Sequence, residues 1–225
     1  IDIGNTNVTI GTFDYASGEG RLVDHWRLST HREQTSDEVA IQLRALFDHG
    51  GIAIERVEDV IVSSVVPPTL PIWERVCTKL FDKEPLLVGP GIKTGMPVRY
   101  ENPREDGADR IVNAVGAYKD YGGDLIIIDF GTATTFDIVG PKGSYEGGII
   151  APGVNLSMEA LHLAAAQLPR IAIDRPQMII GKDTVPAMQS GIFWGYIALI
   201  EGLVKRVKAE YGKPIVYYQG CDSRN

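Results

Sequence analysis

Ile1-Asp2-Ile3-Gly4-Asn5-Thr6-Asn7 opens the chain, and its pattern returns as Ile128-Asp129-Phe130-Gly131-Thr132-Ala133-Thr134-Thr135. Each copy is an apolar strand ending in an aspartate, with a glycine after one intervening residue and then Asn and Thr side chains. Glycine permits a tight turn close to an anion, and backbone N–H groups and Thr hydroxyls donate to phosphate oxygens. The aspartate supplies a hard oxygen for a cation that accompanies phosphate. The repetition predicts two related halves that grip one polyphosphate from both sides.

Either copy alone is also typical of an ordinary hairpin, because Gly and Asn favour turns. Two copies, each followed by an alternating strand, favour phosphate binding instead. Val8 and Ile10 alternate after the first copy, and Phe136 and Ile138 after the second.

The composition is that of a globular protein with enough apolar residues for a core in each half. The 225 residues are 44% hydrophobic and 23% charged, with a net charge of −7,. No run of Lys or Arg is long enough to follow a nucleic-acid backbone, so we expect no nucleic-acid partner. We identify no apolar run near the ~20 residues of a membrane span and no signal peptide. A cytoplasmic protein without membrane contact is therefore expected, with Cys77 and Cys221 as reduced thiols.

Strands alternate with helices after an initial meander, which indicates an α/β fold. In the first half we predict three strands within residues 1–28, a helix at 35–48, strands at 57–66 and 85–88, and a helix at 69–81. In the second half we predict helices at 107–118, 155–168 and 186–211, with strands from residue 125 and at 214–218. Residues 147–153 are predicted to form a glycine-rich loop. The helix at 107–118 is predicted to bury Ile111, Val112, Val115 and Tyr118.

Gly107-Ala108-Asp109-Arg110 follows a segment rich in Pro and Gly. One interpretation is a helix start with an acid in its first turn, stabilised by the helix dipole. The other is a catalytic group: the Asp109 carboxylate would take the proton of a substrate hydroxyl as it attacks phosphorus. Arg110 would then present its planar fork to a substrate carboxylate or to the phosphoryl group. A surface salt bridge is the alternative for Arg110.

An ordered set of short motifs resembles the type III pantothenate kinases, within the superfamily of acetate and sugar kinases, heat-shock chaperones and actin. The motifs are the two repeated phrases, Ser63-Ser64-Val65-Val66-Pro67, Gly107-Ala108-Asp109-Arg110, Gly147-Gly148-Ile149-Ile150-Ala151-Pro152-Gly153, Gly181-Lys182-Asp183-Thr184 and Met188-Gln189-Ser190-Gly191-Ile192-Phe193. The resemblance implies an α/β fold of two ribonuclease-H-like halves (the actin-like ATPase fold) with an ATP cleft between them. The halves would be residues 1–106 and 107–225. The implied activity is ATP-dependent phosphorylation of pantothenate, the first step of coenzyme A biosynthesis.

The resemblance also implies a role for each candidate residue. Asp109 would be the catalytic base, Asp129 would bind a monovalent cation (K⁺ or NH₄⁺), and Asp2 would hold Mg²⁺ through water. The implied ATP and phosphate contacts are Asp2, Gly4, Asn5, Thr6, Asn7, Val8, Thr9, Gly131 and Thr132. The implied substrate contacts are Tyr100, Gly107, Ala108, Asp109, Arg110 and Thr184. From the residues alone, Tyr100 is equally a packed aromatic and Thr184 a helix cap before Pro186.

The helix predicted at 186–211 has an apolar arc wide enough to bury one face in the core and another against a partner. The resemblance implies a homodimer whose substrate pocket is completed at the interface. After the last strand, the Thr-Gly-Gly turn usual in that family is replaced by Gln219-Gly220-Cys221. We therefore expect the C-terminal edge, residues 217–225, to be truncated or altered, together with its adenosine contacts.

Two rival functions stay open. One is a kinase for another small hydroxylated substrate, and the other is a non-catalytic regulatory protein on the same fold. Some members of the resembled family are described as accessory transcription factors, which motivates the second rival. The presence of Asp2, Asp109 and Asp129 together argues against it, because a binding module has no need of all three.

Overall fold

The computed structural model describes residues 1–89, 92–99, 107–165, 168–212 and 214–220. The chain forms two compact units. The first consists of Ile1–Lys93 with Asn102–Val112, and the second of Thr94–Glu101 with Asn113–Asn225. The division between residues 106 and 107 that the sequence suggests stays a prediction.

A five-stranded sheet forms the centre of the first unit, in the order β3-β2-β1-β4-β5. Its strands are β1 (Asp2–Ile3), β2 (Asn7–Asp14), β3 (Arg21–Ser29), β4 (Ile61–Ser64) and β5 (Leu86–Val88). Strand β1 runs antiparallel to β2 and parallel to β4, so that Asp2 lies opposite Thr9 on one side and Ser63 on the other.

The second unit repeats this arrangement with four strands, in the order β8-β7-β6-β9. They are β6 (Leu125–Phe130), β7 (Ala133–Val139), β8 (Tyr145–Pro152) and β9 (Ile215–Gly220). Strand β6 runs antiparallel to β7 and parallel to β9, with Asp129 opposite Thr135 and Gln219. Asp129 therefore holds the place in this sheet that Asp2 holds in the first. The repeated phrase is a repeated topology, and the predicted α/β fold of two similar halves is confirmed.

Helix α1 (Ser36–His49) begins where its sequence predicts. The Thr35 hydroxyl accepts a hydrogen bond from the Glu38 N–H at 3.3 Å, and the Glu38 carboxylate accepts one from the Thr35 N–H at 2.7 Å. This reciprocal pair satisfies two N–H groups that the helix itself leaves unbonded. The helix buries Val39, Leu43 and Phe47, which share one face at helical spacing,.

The rest of the first unit follows the prediction with two differences. Helix α2 (Leu70–Val76) continues into a π-helical turn, Cys77–Phe81, which ends at Asp82 in the left-handed conformation (φ 55°). Strand β4 is shorter than predicted. A 3₁₀ turn at Ile54–Arg56 precedes it, and a second at Pro67–Thr69 follows it, where proline lacks the N–H that a strand ladder needs.

The core of the first unit lies between its sheet and its helices. Its buried apolar side chains include Ile3, Val8, Ile10, Leu43, Val62, Trp73 and Val76. Cys77 is fully buried among them, and loss of hydration raises the pKa of its thiol to about 11,. Cys77 is therefore a protonated packing residue, as in the predicted reduced state. Cys221 lies outside the described residues.

Three helices complete the described part of the chain: α3 (Ala108–Tyr121), α4 (Val154–Ala164) and α5 (Thr184–Tyr211). Helix α5 packs against one face of the second sheet, where Val207 and Leu203 meet Ile126, Ile128 and Phe136. Helix α4 ends four residues before its predicted end, because Ala165 is already extended.

The predicted glycine-rich loop at residues 147–153 is wrong, because residues 147–152 belong to β8. Gly147 and Gly148 pair with Ile138 and Asp137 of β7, across a register irregularity next to Ile138. Gly147 has a φ of 116°, which a side chain disfavours,. Pro152 is tolerated at the end of this edge strand because no ladder bond needs its nitrogen.

The predicted apolar face of α3 is also wrong in part. The residues buried on α3 are Arg110, Ala114 and Ala117, whereas Val112 is 40% exposed. Ile111, Val115 and Tyr118 are only half-buried. The buried face of α3 is thus formed by Arg110 and two small alanines, and the larger apolar side chains lie at its flanks.

Among the described residues, α5 is long and apolar enough to cross a membrane by length and composition alone. Its most apolar stretch of 18 residues has a mean hydropathy of 1.2, and 11% of that stretch is buried. The prediction that no apolar run approaches the length of a membrane span therefore fails for α5 by this criterion. A single helix of this kind is a weak indication of a membrane span.

Candidate functional site

The first repeated phrase forms a turn between β1 and β2 that closes on itself. The Gly4 N–H donates to the Asn7 carbonyl at 2.9 Å. Thr30, which follows β3, braces the turn twice: its hydroxyl donates to the Gly4 carbonyl at 2.7 Å, and its N–H donates to the Thr6 carbonyl at 2.9 Å. The side chain of Thr6 is exposed at the tip of this turn.

Several predicted phosphate contacts are placed by this turn. The exposed Asn5 accepts a hydrogen bond from Arg32 at 3.3 Å. Asn7 and Thr9 are half-buried at the start of β2, whereas the Val8 side chain is in the core. Val8 is thus able to offer a ligand only its backbone. Thr30 and Arg32 were not identified from the sequence, because only the pairing of β3 with β2 brings them to the turn.

The second repeated phrase also forms a self-closed turn, between β6 and β7, which is one residue shorter than the first. The Gly131 N–H donates to the Ala133 carbonyl at 3.0 Å, and the Gly153 N–H donates to the Thr132 carbonyl at 3.0 Å. A Cβ on Gly153 would lie 2.4 Å from the Gly131 carbonyl oxygen and 2.5 Å from that of Thr132. Gly153 thus lets the end of β8 pack directly on the turn, beside the exposed Thr132 side chain.

The sequence predicts that backbone N–H groups of the two turns donate to phosphate, and this prediction needs a correction at Gly4 and Gly131. Both N–H groups bond inside their own turns. The glycines close the turns, and the exposed hydroxyls of Thr6 and Thr132 stand at their tips.

Asp2 lies on β1 next to the first turn, and its pKa is raised above the ordinary value of 3.8. The largest cause is loss of hydration, since protein atoms surround the carboxylate even though part of its surface reaches water,. The second cause is the negative charge of Asp109, which belongs to the same unit. The Ser63 hydroxyl lowers the pKa of Asp2, although it makes no hydrogen bond of strict geometry within the described chain. Two carboxylates that repel one another are a favourable place for a cation.

Asp2→Asn is expected to raise the melting temperature of the metal-free protein at neutral pH, because it removes a charge that the folded state disfavours. We expect roughly 1–3 °C, the scale of a partly solvated charge pair in a chain of this size. Because the folded pKa is raised, the cost of ionising Asp2 is present above that pKa and disappears below the unfolded value. The difference between variant and wild type should therefore vanish as the pH falls below 3.8.

Thermal unfolding followed by circular dichroism, with a chelator present, measures this effect. Asp59→Asn is the matched control, since Asp59 is an exposed acid of the same unit. An equal gain in both variants would show that net charge, rather than the position of Asp2, is responsible.

Asp109 lies in the first turn of α3, where its carboxylate folds back over the start of the helix. Its Oδ1 accepts a hydrogen bond from the Arg110 N–H at 2.9 Å. A Cβ on Gly107 would lie 2.4 Å from this Oδ1. A side chain at position 107 would displace the carboxylate from this position, and glycine leaves room for it. Gly107 and Ala108 are themselves half-buried at this helix start.

Arg110 is only 6% exposed, which excludes the alternative of a surface salt bridge. An arginine is rarely buried to this extent unless its guanidinium is paired.

Asp129 ends β6 in the second unit and is half-buried. Its Oδ2 accepts a hydrogen bond from the Asn113 side-chain amide at 3.1 Å. Asn113 was not identified from the sequence. Its position three residues after Arg110, on one side of the same helix, was the signal available.

The two remaining candidates have different outcomes. Tyr100 lies outside the described residues. Thr184 is the exposed first residue of α5, and Asp183 occupies the cap position before it. A Cβ on Gly181 would lie 2.3 Å from the Ala187 nitrogen, so the preceding loop packs tightly on the first turn of α5.

Within the described residues, no group of three or more His, Cys, Asp or Glu side chains is arranged to hold a metal ion. Mg²⁺ in nucleotide sites is commonly held by one or two carboxylates and the substrate phosphates. The pair formed by Asp2 and Asp109 fits that kind of site, whereas a closed structural metal site is not present in the described parts of the chain.

Solved structures with similar folds cover nearly the whole chain. A conserved protein from Campylobacter jejuni, assigned to the Baf family of transcriptional activators, has a TM-score of 0.53 and 16% identity, over 98% of this chain and 82% of that chain. A Sinorhizobium meliloti protein assigned as a 2-dehydro-3-deoxygalactonokinase has a TM-score of 0.49 and 11% identity, over 98% and 90% of the two chains. The ROK hexokinase of Thermus thermophilus has a TM-score of 0.46 and 13% identity, over 97% and 80%. At this identity, the first likeness shows a shared fold.

The match to a family model is more specific. The model of type III pantothenate kinase matches residues 1–206. This range contains both repeated turns, the start of α3 and the start of α5. The motifs from which the resemblance was drawn are therefore matched as one continuous set, and the chain belongs to the type III pantothenate kinase family.

Proposed function

We propose that this protein transfers the γ-phosphoryl group of ATP to the primary hydroxyl of pantothenate, giving 4′-phosphopantothenate. Membership of the family supports the reaction class. The observation that carries the proposal is the Asp109 carboxylate, which is fixed at the start of α3 and interacts electrostatically with Asp2. A general base beside a cation-binding carboxylate is the arrangement that phosphoryl transfer to an alcohol needs.

Asp109 acts as the base in this proposal. Among the described residues only its Oδ1 accepts a hydrogen bond, from the Arg110 N–H, so Oδ2 is available to the substrate hydroxyl. The hydroxyl gives its proton to Oδ2 as its oxygen attacks the γ-phosphorus, and ADP leaves with the electrons of the broken P–O bond. Fixed geometry and charge stabilisation supply most of the acceleration in such transfers.

The two repeated turns bind the nucleotide in this proposal. Asn5, Thr6 and Asn7 of the first turn and Thr132 of the second offer polar side chains to the phosphates. Asp2 holds Mg²⁺, which neutralises phosphate charge when bound. Repulsion between Asp2 and Asp109 supports this assignment, since a divalent cation relieves it,.

The acceptor site in this proposal is built from the start of α3 and the start of α5. The buried Arg110 pairs with the pantothenate carboxylate or the transferring phosphoryl group, because its planar fork suits both,. Gly107 and Ala108 bring their backbone close to the acceptor, and Thr184 and Tyr100 complete the contacts.

A homodimer completes the proposal. Residues 184–200 of helix α5 carry no charged side chain, and many of them are only half-buried in the single chain. A partly exposed apolar helix face is a common feature of subunit interfaces. A second copy of α5 covers it and places the acceptor pocket at the interface.

Release of ADP by the full-length protein, measured with MgATP in the presence and absence of pantothenate, tests the proposed function. Pantothenate should stimulate release strongly. Stimulation by a different alcohol from a panel of small hydroxylated compounds would replace the substrate assignment and keep the kinase. Failure of every acceptor would favour the non-catalytic regulatory protein that is the second rival function.

Turnover is expected to fall roughly tenfold or more when potassium is exchanged for sodium at equal concentration. A loss of ~1.4 kcal/mol of charge stabilisation in the transition state corresponds to a factor of about ten in rate. The Asp129 carboxylate, oriented by Asn113, is the proposed ligand of the monovalent cation. Asp129→Asn should remove most of the difference between the salts, whereas Asp120→Asn, an exposed site on α3, should retain it. Equal rates of the wild type in both salts would remove the cation from the mechanism.

A further inference from the structure

Two adjacent serines end strand β4, in a motif to which the proposed function assigns no role: Ser63-Ser64-Val65-Val66-Pro67. The Ser64 hydroxyl accepts a hydrogen bond from the Val66 N–H at 3.0 Å. It thereby satisfies a backbone group at the point where the strand ends and the 3₁₀ turn at Pro67–Thr69 begins,. Ser64 has a local structural role, and the role of the Ser63 side chain has to be sought outside the motif.

Ser63 belongs to a row of polar side chains across the first sheet. In the pairing of β1 with its two neighbours, Asp2 lies opposite Thr9 of β2 and opposite Ser63 of β4. Directly paired residues point to the same face of a sheet, whereas the adjacent Ile3 and Val62 point to the other face and into the apolar core,. Asp2 therefore lies between two hydroxyl-bearing residues, on the face opposite this core.

The Ser63 hydroxyl is buried beside the Asp2 carboxylate. Ser63 is 6% exposed, and its N–H is fixed by a hydrogen bond of 2.9 Å to the Ile1 carbonyl. Its Oγ interacts with the carboxylate, but within the parts of the chain that the structure describes it makes no hydrogen bond of good geometry. A buried hydroxyl in this state costs free energy relative to alanine, which has no polar group to desolvate. The stability of the chain alone therefore does not account for a serine at this position.

A hydrated divalent cation offers the hydrogen bonds that this hydroxyl needs. A serine hydroxyl has one hydrogen to donate and two lone pairs that accept. Mg²⁺ usually keeps several of its waters and binds to a protein through one or two carboxylates. The hydroxyl is thus able to donate to the Asp2 carboxylate while it accepts from a water of the cation. Groups that hydrogen-bond to the ligands of a metal in this way orient them and raise its affinity.

We propose that Ser63 is a positioning residue for the divalent cation at Asp2: its hydroxyl orients the Asp2 carboxylate and accepts a hydrogen bond from a water of the cation. This proposal rests on the proposed function, in which Asp2 holds Mg²⁺ at the nucleotide phosphates. Ser63 touches neither the acceptor nor the transferred group. Its removal should therefore weaken binding of the metal–nucleotide complex and leave binding of the metal-free nucleotide unchanged.

Ser63→Ala tests the proposal in the full-length protein, because it removes the hydroxyl and leaves the backbone bonds of β4 in place. The probe is Mg²⁺ with a non-hydrolysable ATP analogue, and titration calorimetry without any acceptor measures its affinity. We expect the dissociation constant to rise about three- to tenfold, the factor for one neutral hydrogen bond. With a chelator in place of Mg²⁺, the affinities of variant and wild type for the analogue should agree within about twofold, because the contact is made through a water of the cation.

The melting temperature of the metal-free protein separates this role from a structural one. Ser63→Ala should melt at the wild-type temperature or up to about 3 °C above it, because the variant no longer buries a poorly bonded hydroxyl. Ser64→Ala is the matched control, since it removes the hydrogen bond to the Val66 N–H. It should melt roughly 2–4 °C below the wild type, the shift for one lost hydrogen bond in a chain of this size. Its affinity for the Mg²⁺ complex should be that of the wild type.

Three results would contradict the proposal. An unchanged affinity of Ser63→Ala for the Mg²⁺ complex would overturn it, because the hydroxyl would then interact with solvent alone. A melting temperature that falls as in Ser64→Ala would also overturn it, since Ser63 would be structural. Equal weakening with and without Mg²⁺ would overturn the contact with the cation and assign the hydroxyl to the nucleotide instead.

The same measurements separate failure of this proposal from failure of the proposed function. They need neither an acceptor nor turnover. If the wild type binds the Mg²⁺ complex but phosphorylates neither pantothenate nor another alcohol, the proposed function fails and the comparison of Ser63→Ala with Ser64→Ala still decides on the hydroxyl. A wild type that does not bind the Mg²⁺ complex would overturn both.

Discussion

Asp109→Asn is expected to lower turnover with MgATP and pantothenate by about two to three orders of magnitude, the contribution of a positioned general base. The amide keeps the size of the side chain and accepts the hydrogen bond from the Arg110 N–H, but it does not take a proton from a hydroxyl. Because the variant also removes the charge that repels Asp2, binding of MgATP should be retained. Steady-state ADP release measures turnover, and titration calorimetry measures nucleotide binding.

Asp120→Asn is the control for this prediction, since Asp120 is an exposed acid near the other end of α3. It makes the same change of charge on the same helix and should leave turnover unchanged. Near-normal turnover of Asp109→Asn would remove Asp109 from the chemistry. Loss of nucleotide binding together with turnover would assign it a role in the phosphate site instead.

Gly153→Ala is expected to have the second large effect, because the added methyl group has no room. Its Cβ would meet two backbone carbonyl oxygens, of Gly131 and Thr132, at 2.4 and 2.5 Å. Backbone atoms cannot rotate away as a side chain does, so the turn between β6 and β7 must shift. We expect a loss of about 1–3 kcal/mol in the free energy of unfolding and a fall of at least about tenfold in kcat/KM for ATP. Urea denaturation and steady-state kinetics measure the two effects.

Gly116→Ala separates this effect from glycine replacement in general. Gly116 is exposed on α3, and no atom lies within 4 Å of its added Cβ. Alanine should raise stability there by about 0.5–1 kcal/mol, since it is the better helix former. Normal nucleotide kinetics in Gly153→Ala would mean that the turn at residues 131–132 does not contribute to ATP binding.

Local signals made much of the fold predictable from the sequence. The repeated strand, aspartate and glycine indicated two related sheets, and strand order bears this out. The helix predicted at 35–48 begins at the observed position, with Thr35 as its cap. Signals of this kind are contained within a few neighbouring residues, so they can be read from the sequence without knowing which strands pair.

The errors arose where distant contacts decide the outcome. Glycines at 147 and 148 favour a loop locally, but pairing with β7 makes them part of a strand. On α3 the buried face contains Ala114 and Ala117 rather than the larger Val112. Neither the pairing of distant strands nor the burial of one helix face by distant residues can be read from a local sequence pattern.

The same division applies to the candidate site. Residue types and spacing identified Asp2, Asp109 and Asp129, and their roles stay predictions. Two supporting residues could not be recognised from the sequence, because Thr30 reaches the first turn and Asn113 reaches Asp129 only in the folded chain. Mutual repulsion of Asp2 and Asp109 likewise depends on distance in space, across more than a hundred residues of sequence.

The self-closed turn of residues 4–7, braced by Thr30, has a consequence for how new specificities arise on this scaffold. Hydrogen bonds already fix the backbone of this turn without a ligand, so nucleotide binding there would cost little backbone conformational freedom. Acceptor preference, by contrast, would be set by segments elsewhere in the chain. Under the proposed function, selection for a different alcohol would change those segments alone and leave the phosphate-binding turn as it is.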